Sequence, residues 1–183
     1  RTLTYDCRGQ GQSDKPQAGP YHAELHARDL AALLDALKIA RAHFVGLSNG
    51  GIVMMHFARL FPQRIVKLVL ADTFSHLDTV QKALLEAWRA ALRAGGSALR
   101  FTIALPWVWG ADFLESNYAA IMSLRQKAAR LPTYSSLHLI DGALTHDARP
   151  WLGSITAPTL IINADQDVII QMHHARFLQA SIP

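Results

Sequence analysis

The run Gly46-Leu47-Ser48-Asn49-Gly50 constrains this chain more than any other five residues. It has the spacing G-x-S-x-G. It lies between a short apolar run, His43 to Leu47 (HFVGL), and a stretch from about Gly50 to Phe61 that reads as a helix stopped by Pro62. A serine at the apex of a strand-to-helix turn takes a strained backbone conformation, and glycines two residues before and two after it remove side chains that would clash there. Such a turn presents Ser48 to solvent. The helix behind it aims free N–H groups and a positive dipole end at the reacting centre, so the backbone N–H of Asn49 can stabilise an oxyanion. The alternative is a plain glycine-rich turn. As a nucleophile, Ser48 needs a histidine base and an acid that orients the base, because a serine hydroxyl attacks poorly on its own.

The surrounding pattern suits that turn. Ile65 to Ala71 (IVKLVLA) is a second buried-type strand, and Pro158 introduces a third, Thr159 to Asn163 (TLIIN), followed by Ala164-Asp165-Gln166-Asp167 and a last helix from about Met172 to Ala180. Leu30, Leu33, Leu34 and Leu37 fall at i, i+3, i+4 and i+7, which predicts an amphipathic helix within residues 23–39. Thr2 to Tyr5 (TLTY) reads as a further short strand that ends in the turn formers between Asp6 and Pro16. Apolar strands without alternation, joined by helices, predict an α/β fold with a mostly parallel sheet and helices on both faces. After Asp72 the alternation stops. Residues 73–150 carry helical patterns punctuated by Gly95-Gly96, Pro106, Gly110 and Pro132, the pattern of an inserted helical lid of about four helices, while residues 1–72 and 151–183 form the core. Parallel strands share one C-terminal edge, so Asp72, Asp165 and Asp167 are all candidate acids, and spacing does not choose among them.

Composition excludes several other classes. Half of the residues are hydrophobic and only 17% are charged, enough apolar material for a core and too much for a disordered tail. No run approaches the roughly 20 apolar residues needed to span a bilayer, so no membrane partner is expected. The single cysteine, Cys7, excludes an internal disulfide and a cysteine-based zinc site and points to a cytoplasmic setting. The net charge of +4 includes a basic excess between Lys82 and Arg130, spaced as on solvated helix faces without a clustered run. Nucleic acid is therefore not an expected partner.

With these residues assembled, the chain resembles the α/β-hydrolase superfamily, in its esterase, lactonase and haloperoxidase-like branch. Asp6-x-Arg8-Gly9-x-Gly11-x-Ser13 is similar to the loop after that family's fourth strand. Gly46-x-Ser48-x-Gly50-Gly51 is similar to its nucleophile turn, and Pro158 to Ile162 followed by Asp167 is similar to the strand that delivers its acid. The family's order is Ser, Asp, His. The resemblance implies Ser48 as nucleophile, Asp167 as acid and the Asn49 N–H in the oxyanion hole. The second oxyanion donor would precede Arg1 and the catalytic histidine would follow Pro183, since none of the nine histidines has a counterpart as base; an internal fragment is therefore expected. Asn49 stands where the branch often has Met or Gln, and Val168 replaces a frequent proline. Serine in place of aspartate argues against haloalkane dehalogenase and epoxide hydrolase chemistry.

The implied function is a serine hydrolase that opens a small carboxylic ester or lactone through an acyl-enzyme, with no metal or organic cofactor. Carbon–carbon bond hydrolysis, perhydrolysis, acyl transfer, or ligand binding without turnover are the alternatives that this fold allows. All four tryptophans lie between Trp88 and Trp151. Trp107 and Trp109, following Pro106, are the candidate substrate contacts for an apolar or aromatic group; the alternative is that these rings only pack helices on one another.

Overall fold

Three parallel strands, β1 (Ala42–Leu47), β2 (Ile65–Ala71) and β3 (Thr159–Ile162), lie side by side in that order in the computed structural model, which describes all 183 residues. Leu47 stands opposite Ala71 and Ala71 opposite Ile162, so the strands end level with one another. The three expected strands form where the apolar runs placed them. The fourth does not. Residues 1–7 have no regular secondary structure, because no strand lies beside Thr2–Tyr5 to take up its backbone groups, and β-propensity alone cannot hold an extended segment.

Helix α1 (Ala23–Ala36) buries Leu30 and Leu34, as the leucine spacing predicts. Helix α2 (Asn49–Leu60) follows β1 directly and stops at Pro62, whose ring opens a short 3₁₀ turn into β2. Between α2 and the sheet sits an aromatic cluster. Phe57, fully buried, has its ring 5.0 Å from Phe44 of β1 and 5.2 Å from Phe61. Phe44, Gly46, Leu68, Leu70 and Ile161 share that face of the sheet by register, and Leu68 and Leu70 are buried. On the opposite face Val45, Leu47, Leu160 and Ile162 are exposed, Val45 to 74%. The apolar character that predicted helices on two faces is thus matched here by cover on one.

The chain divides into two compact units. The first joins His22–Asp78 to Thr145–Pro183 and contains the sheet, α1, α2 and a C-terminal helix that packs against β3. The second joins Arg1–Tyr21 to Thr79–Leu144. It holds α3 (Thr79–Val108), α4 (Ala111–Ala128) and α5 (Thr133–Ala143), with α3 packed against both others. α3 is broken at Gly95–Gly96, where Gly96 takes φ 66°, so the region has four helical rods. No helix is long and apolar enough to cross a membrane.

In this helical unit the Asp6–Ser13 loop is knitted onto itself. The Asp6 carboxylate accepts the Gln12 N–H at 2.8 Å, Ser13 Oγ donates to the Asp6 carbonyl at 2.6 Å, and Gly9, at φ 82°, accepts the buried Ser135 hydroxyl at 2.6 Å on its carbonyl. These bonds give the motif a structural role. In the sheet unit, truncating Phe57 to Ala removes the centre of the aromatic cluster and is expected to cost about 3–5 kcal/mol. Urea unfolding followed by near-UV circular dichroism measures this, and a loss under about 1 kcal/mol would show that the cluster is peripheral.

Candidate active site

Ser48 occupies the turn between β1 and α2 with φ 51° and ψ −118°, and its side chain is exposed. A non-glycine residue at positive φ costs on the order of 1–3 kcal/mol, so its neighbours must hold it there. They do so through the backbone. The Ser48 N–H donates to the Ala71 carbonyl at 2.9 Å, and its own carbonyl accepts from Gly51 N–H at 2.9 Å and from the Thr73 hydroxyl at 2.8 Å. Thr73, buried directly after β2, thereby ties the turn to the neighbouring strand.

The glycines divide differently from the motif's lettering. A Cβ on Gly46 would stand 2.6 Å from the Gly50 carbonyl oxygen and 2.7 Å from Met54 Cγ, so residue 46 must be glycine, as expected. A Cβ on Gly50 would meet nothing within 4 Å. The expectation that Gly50 relieves a clash is corrected: the crowded position is Gly51, whose added Cβ would lie 2.5 Å from both Cβ and Oγ1 of Thr73. Asn49 is the first residue of α2, and its N–H belongs to the first-turn donors that have no acceptor inside the helix.

The level strand ends bring the three aspartates to the same edge as Ser48, each in a different setting. Asp72, at φ 42°, accepts the Ala164 N–H on Oδ1 at 2.8 Å while its own N–H donates to the Ile162 carbonyl at 2.9 Å, so it joins the ends of β2 and β3. Asp165 is exposed. Asp167 accepts two backbone N–H groups, from Ile169 and Ile170, both at 2.8 Å and both on Oδ1, which leaves Oδ2 available to a further donor. Asn163 closes the same loop by donating to the carbonyls of Ala164 at 3.0 Å and Ile170 at 2.9 Å. Ser48 follows β1 and Asp167 follows β3, with β2 between, so their strand ends are about two interstrand spacings, roughly 10 Å, apart.

Seven of the nine histidines have named hydrogen-bond partners elsewhere. His22 hydrogen-bonds the Thr145 hydroxyl, His76 the Ser75 hydroxyl, and His138 donates to the Gln17 carbonyl. His56 and His146 form a relay: His146 Nε2 donates to the Phe74 carbonyl at 3.2 Å, so its Nδ1 accepts from His56 Nε2, also at 3.2 Å. Burial, reinforced by His56, pushes His146 down to about 4. Burial also lowers His56. His173 and His174, on helix α6 (Met172–Ser181), both approach Asp78. In the helical unit Trp107 is exposed, and Trp109 stacks on Phe113 with centroids 5.3 Å apart and planes 13° from parallel. Thr73 is a part of the Ser48 turn that the sequence does not single out; its only signal is its position just past a strand.

Comparison with known proteins agrees with this architecture. The alpha/beta hydrolase fold family matches the chain along residues 1–183, and the chain belongs to that family. It is 29% identical to 3-oxoadipate enol-lactonase 2 of Acinetobacter baylyi over 96% of its own length, and it spans 65% of that lactonase. It is 30% identical to a putative carbamate hydrolase RutD of Pseudomonas savastanoi pv. phaseolicola, over 99% of this chain and 71% of that protein. The crystal structure of the enol-lactonase from Burkholderia xenovorans LB400 superposes with a TM-score of 0.89 at 28% identity, covering 97% of this chain and 67% of that one.

Gly50→Ala should be neutral or stabilise by up to about 1 kcal/mol, since it removes a helical glycine, whereas Gly51→Ala should destabilise by about 1–3 kcal/mol by displacing Thr73. Equal unfolding midpoints for the two variants would refute the assignment. For His146, the folded imidazole is held near 4 while the unfolded one keeps its ordinary 6.5, so the unfolded chain takes up the proton first as pH falls. The contribution is complete above about pH 6.5 and drains away towards pH 4, amounting to about 2 kcal/mol between pH 7 and pH 5. Denaturant unfolding free energies at those two pH values, if equal, would show that His146 is not held neutral.

Proposed function

We propose that Ser48 is the nucleophile, and Asp167 the orienting acid, of a serine hydrolase that acts on a small carboxylic ester or lactone. The observation that carries this reading is the positive φ of an exposed Ser48 at the head of α2, on the same sheet edge as a carboxylate with one oxygen anchored by two backbone amides and the other left available. An anchored Oδ1 fixes the direction of Oδ2, which is what an acid that orients an imidazole requires. The reading calls for a histidine base seated on Oδ2 of Asp167.

In this mechanism Ser48 Oγ attacks the acyl carbonyl carbon as its proton passes to the imidazole. The oxyanion that forms is stabilised by the Asn49 N–H and by the positive end of α2. Collapse of the tetrahedral intermediate breaks the bond to the alkoxy oxygen, which takes the proton back from the imidazolium. Water, deprotonated by the same imidazole, then hydrolyses the acyl-serine and restores the hydroxyl. A lactone is favoured because two of the similar proteins are named enol-lactonases. A carbamate is the second reading, supported by the name of the RutD relative; it needs the same nucleophile and differs in the leaving group.

The test uses the full-length protein with a fluorophosphonate probe and a panel of lactones, aryl esters and carbamates. The expected result is one adduct on Ser48 and turnover of a lactone, with Ser48→Ala losing the adduct and lowering kcat/KM by about 10³-fold or more while unfolding at an unchanged temperature. A folded, unlabelled wild-type protein that binds a lactone without opening it would overturn the enzyme reading in favour of a binding protein.

A further inference from the structure

In the unit that contains Ser48, two further imidazoles converge on one carboxylate. His173 Nε2 lies 3.1 Å, and His174 Nε2 3.2 Å, from the same oxygen, Oδ2, of Asp78. The three ligand atoms all fall within 4.8 Å of one another, although Asp78 and the two histidines are 95 and 96 residues apart in the chain. The two rings lie 4.1 Å apart, and His174 is 1% exposed, so at least one of these donors is fixed by packing and not by solvent. His173 is 54% exposed and Asp78 26%, which leaves an open approach from one side. A carboxylate with two neutral imidazoles is a donor set of net charge −1. It fits a divalent first-row cation such as Zn²⁺, which takes nitrogen and oxygen ligands together and completes its shell with water; Ca²⁺ and Mg²⁺ prefer oxygen alone.

We propose that Asp78, His173 and His174 form a three-ligand site for Zn²⁺ or a similar divalent transition metal. The site joins the segment between β2 and α3 to helix α6. Asp78 is the last residue of the sheet unit before α3 begins at Thr79, so a bound ion would pin the chain where it leaves that unit. His76 has its ring 6.0 Å from that of His174, but it is not among the three residues whose ligand atoms fall within 4.8 Å of one another. The metal takes no part in the acyl chemistry proposed for Ser48, and the site stands or falls independently of it.

The test is equilibrium dialysis of the full-length protein, stripped with EDTA, against ZnCl₂ at pH 8, together with its Co²⁺ absorption spectrum and its thermal unfolding with and without Zn²⁺. His173→Ala and Asp78→Asn are the matched variants, both at solvent-accessible positions. The expected result is one Zn²⁺ retained per chain at micromolar free metal and a visible Co²⁺ band. Tm should rise by about 5 °C or more at 100-fold excess over Kd, and all three effects should be lost in both variants. Retention of the ion by both variants would place it at other histidines, and absence of stoichiometric binding by the wild-type protein would exclude a site; either result overturns the proposal. Should Asp78→Asn fail to fold, His173→Ala alone decides, because its side chain is half in solvent.

Discussion

Holding Ser48 at positive φ is the constraint on which the sheet unit depends. Left to itself, a serine leaves that conformation, and what keeps it there comes from three elements at once. β2 accepts its N–H at Ala71, the buried Thr73 hydroxyl donates to its carbonyl, and α2 begins with Gly51 donating to the same carbonyl. Gly46 and Gly51 are the positions where this convergence leaves no room for a side chain. The turn is therefore a meeting point of strand, neighbouring strand and helix. The aromatic packing of Phe44, Phe57 and Phe61 joins β1 to the other end of α2.

The same edge shows how two aspartates of similar position come to differ. Asp72 takes a single amide, that of Ala164, on Oδ1 and gives its own amide to Ile162, so it holds adjacent strand ends together. Asp167 keeps one oxygen in a pair of backbone bonds and the other in reserve. A carboxylate that is rigid at one oxygen and available at the other is suited to orienting a partner, and that is a difference of local hydrogen bonding which the residue type does not encode.

Much of the framework was legible in the residues because it rests on local patterning. Apolar runs bounded by turn formers located β1, β2 and β3, the leucine period located α1, and the Gly95-Gly96 pair marked the break in α3. What could not be read depends on partners distant in sequence. Thr2–Tyr5 has strand character but no neighbour to pair with. Gly50 satisfies the motif without being crowded, while Gly51, one residue on, faces Thr73 across the turn. The different hydrogen bonding of Asp72 and Asp167 depends on which backbone amides their loops present, and the meeting of Asp78 with His173 and His174 needed the fold to bring α6 beside the segment after β2.

The exposed row of Val45, Leu47, Leu160 and Ile162 has a further consequence for strand alignment. In a sheet with one wet face, sliding a strand by one residue drives polar side chains inward, and that penalty fixes the pairing. Here, apart from His43 and Thr159, the residues on both sides of β1 and β3 are apolar or glycine, so a slipped alignment would carry a reduced penalty from burial. Alignment must come from contacts that cannot slide, and those lie at the C-terminal edge: Ser48 against Ala71, Asp72 against Ile162 and Ala164. The turns that present the candidate nucleophile and acid therefore also act as end stops for the strands, and a substitution that loosened them would disturb the alignment of the whole sheet before it reached any chemistry.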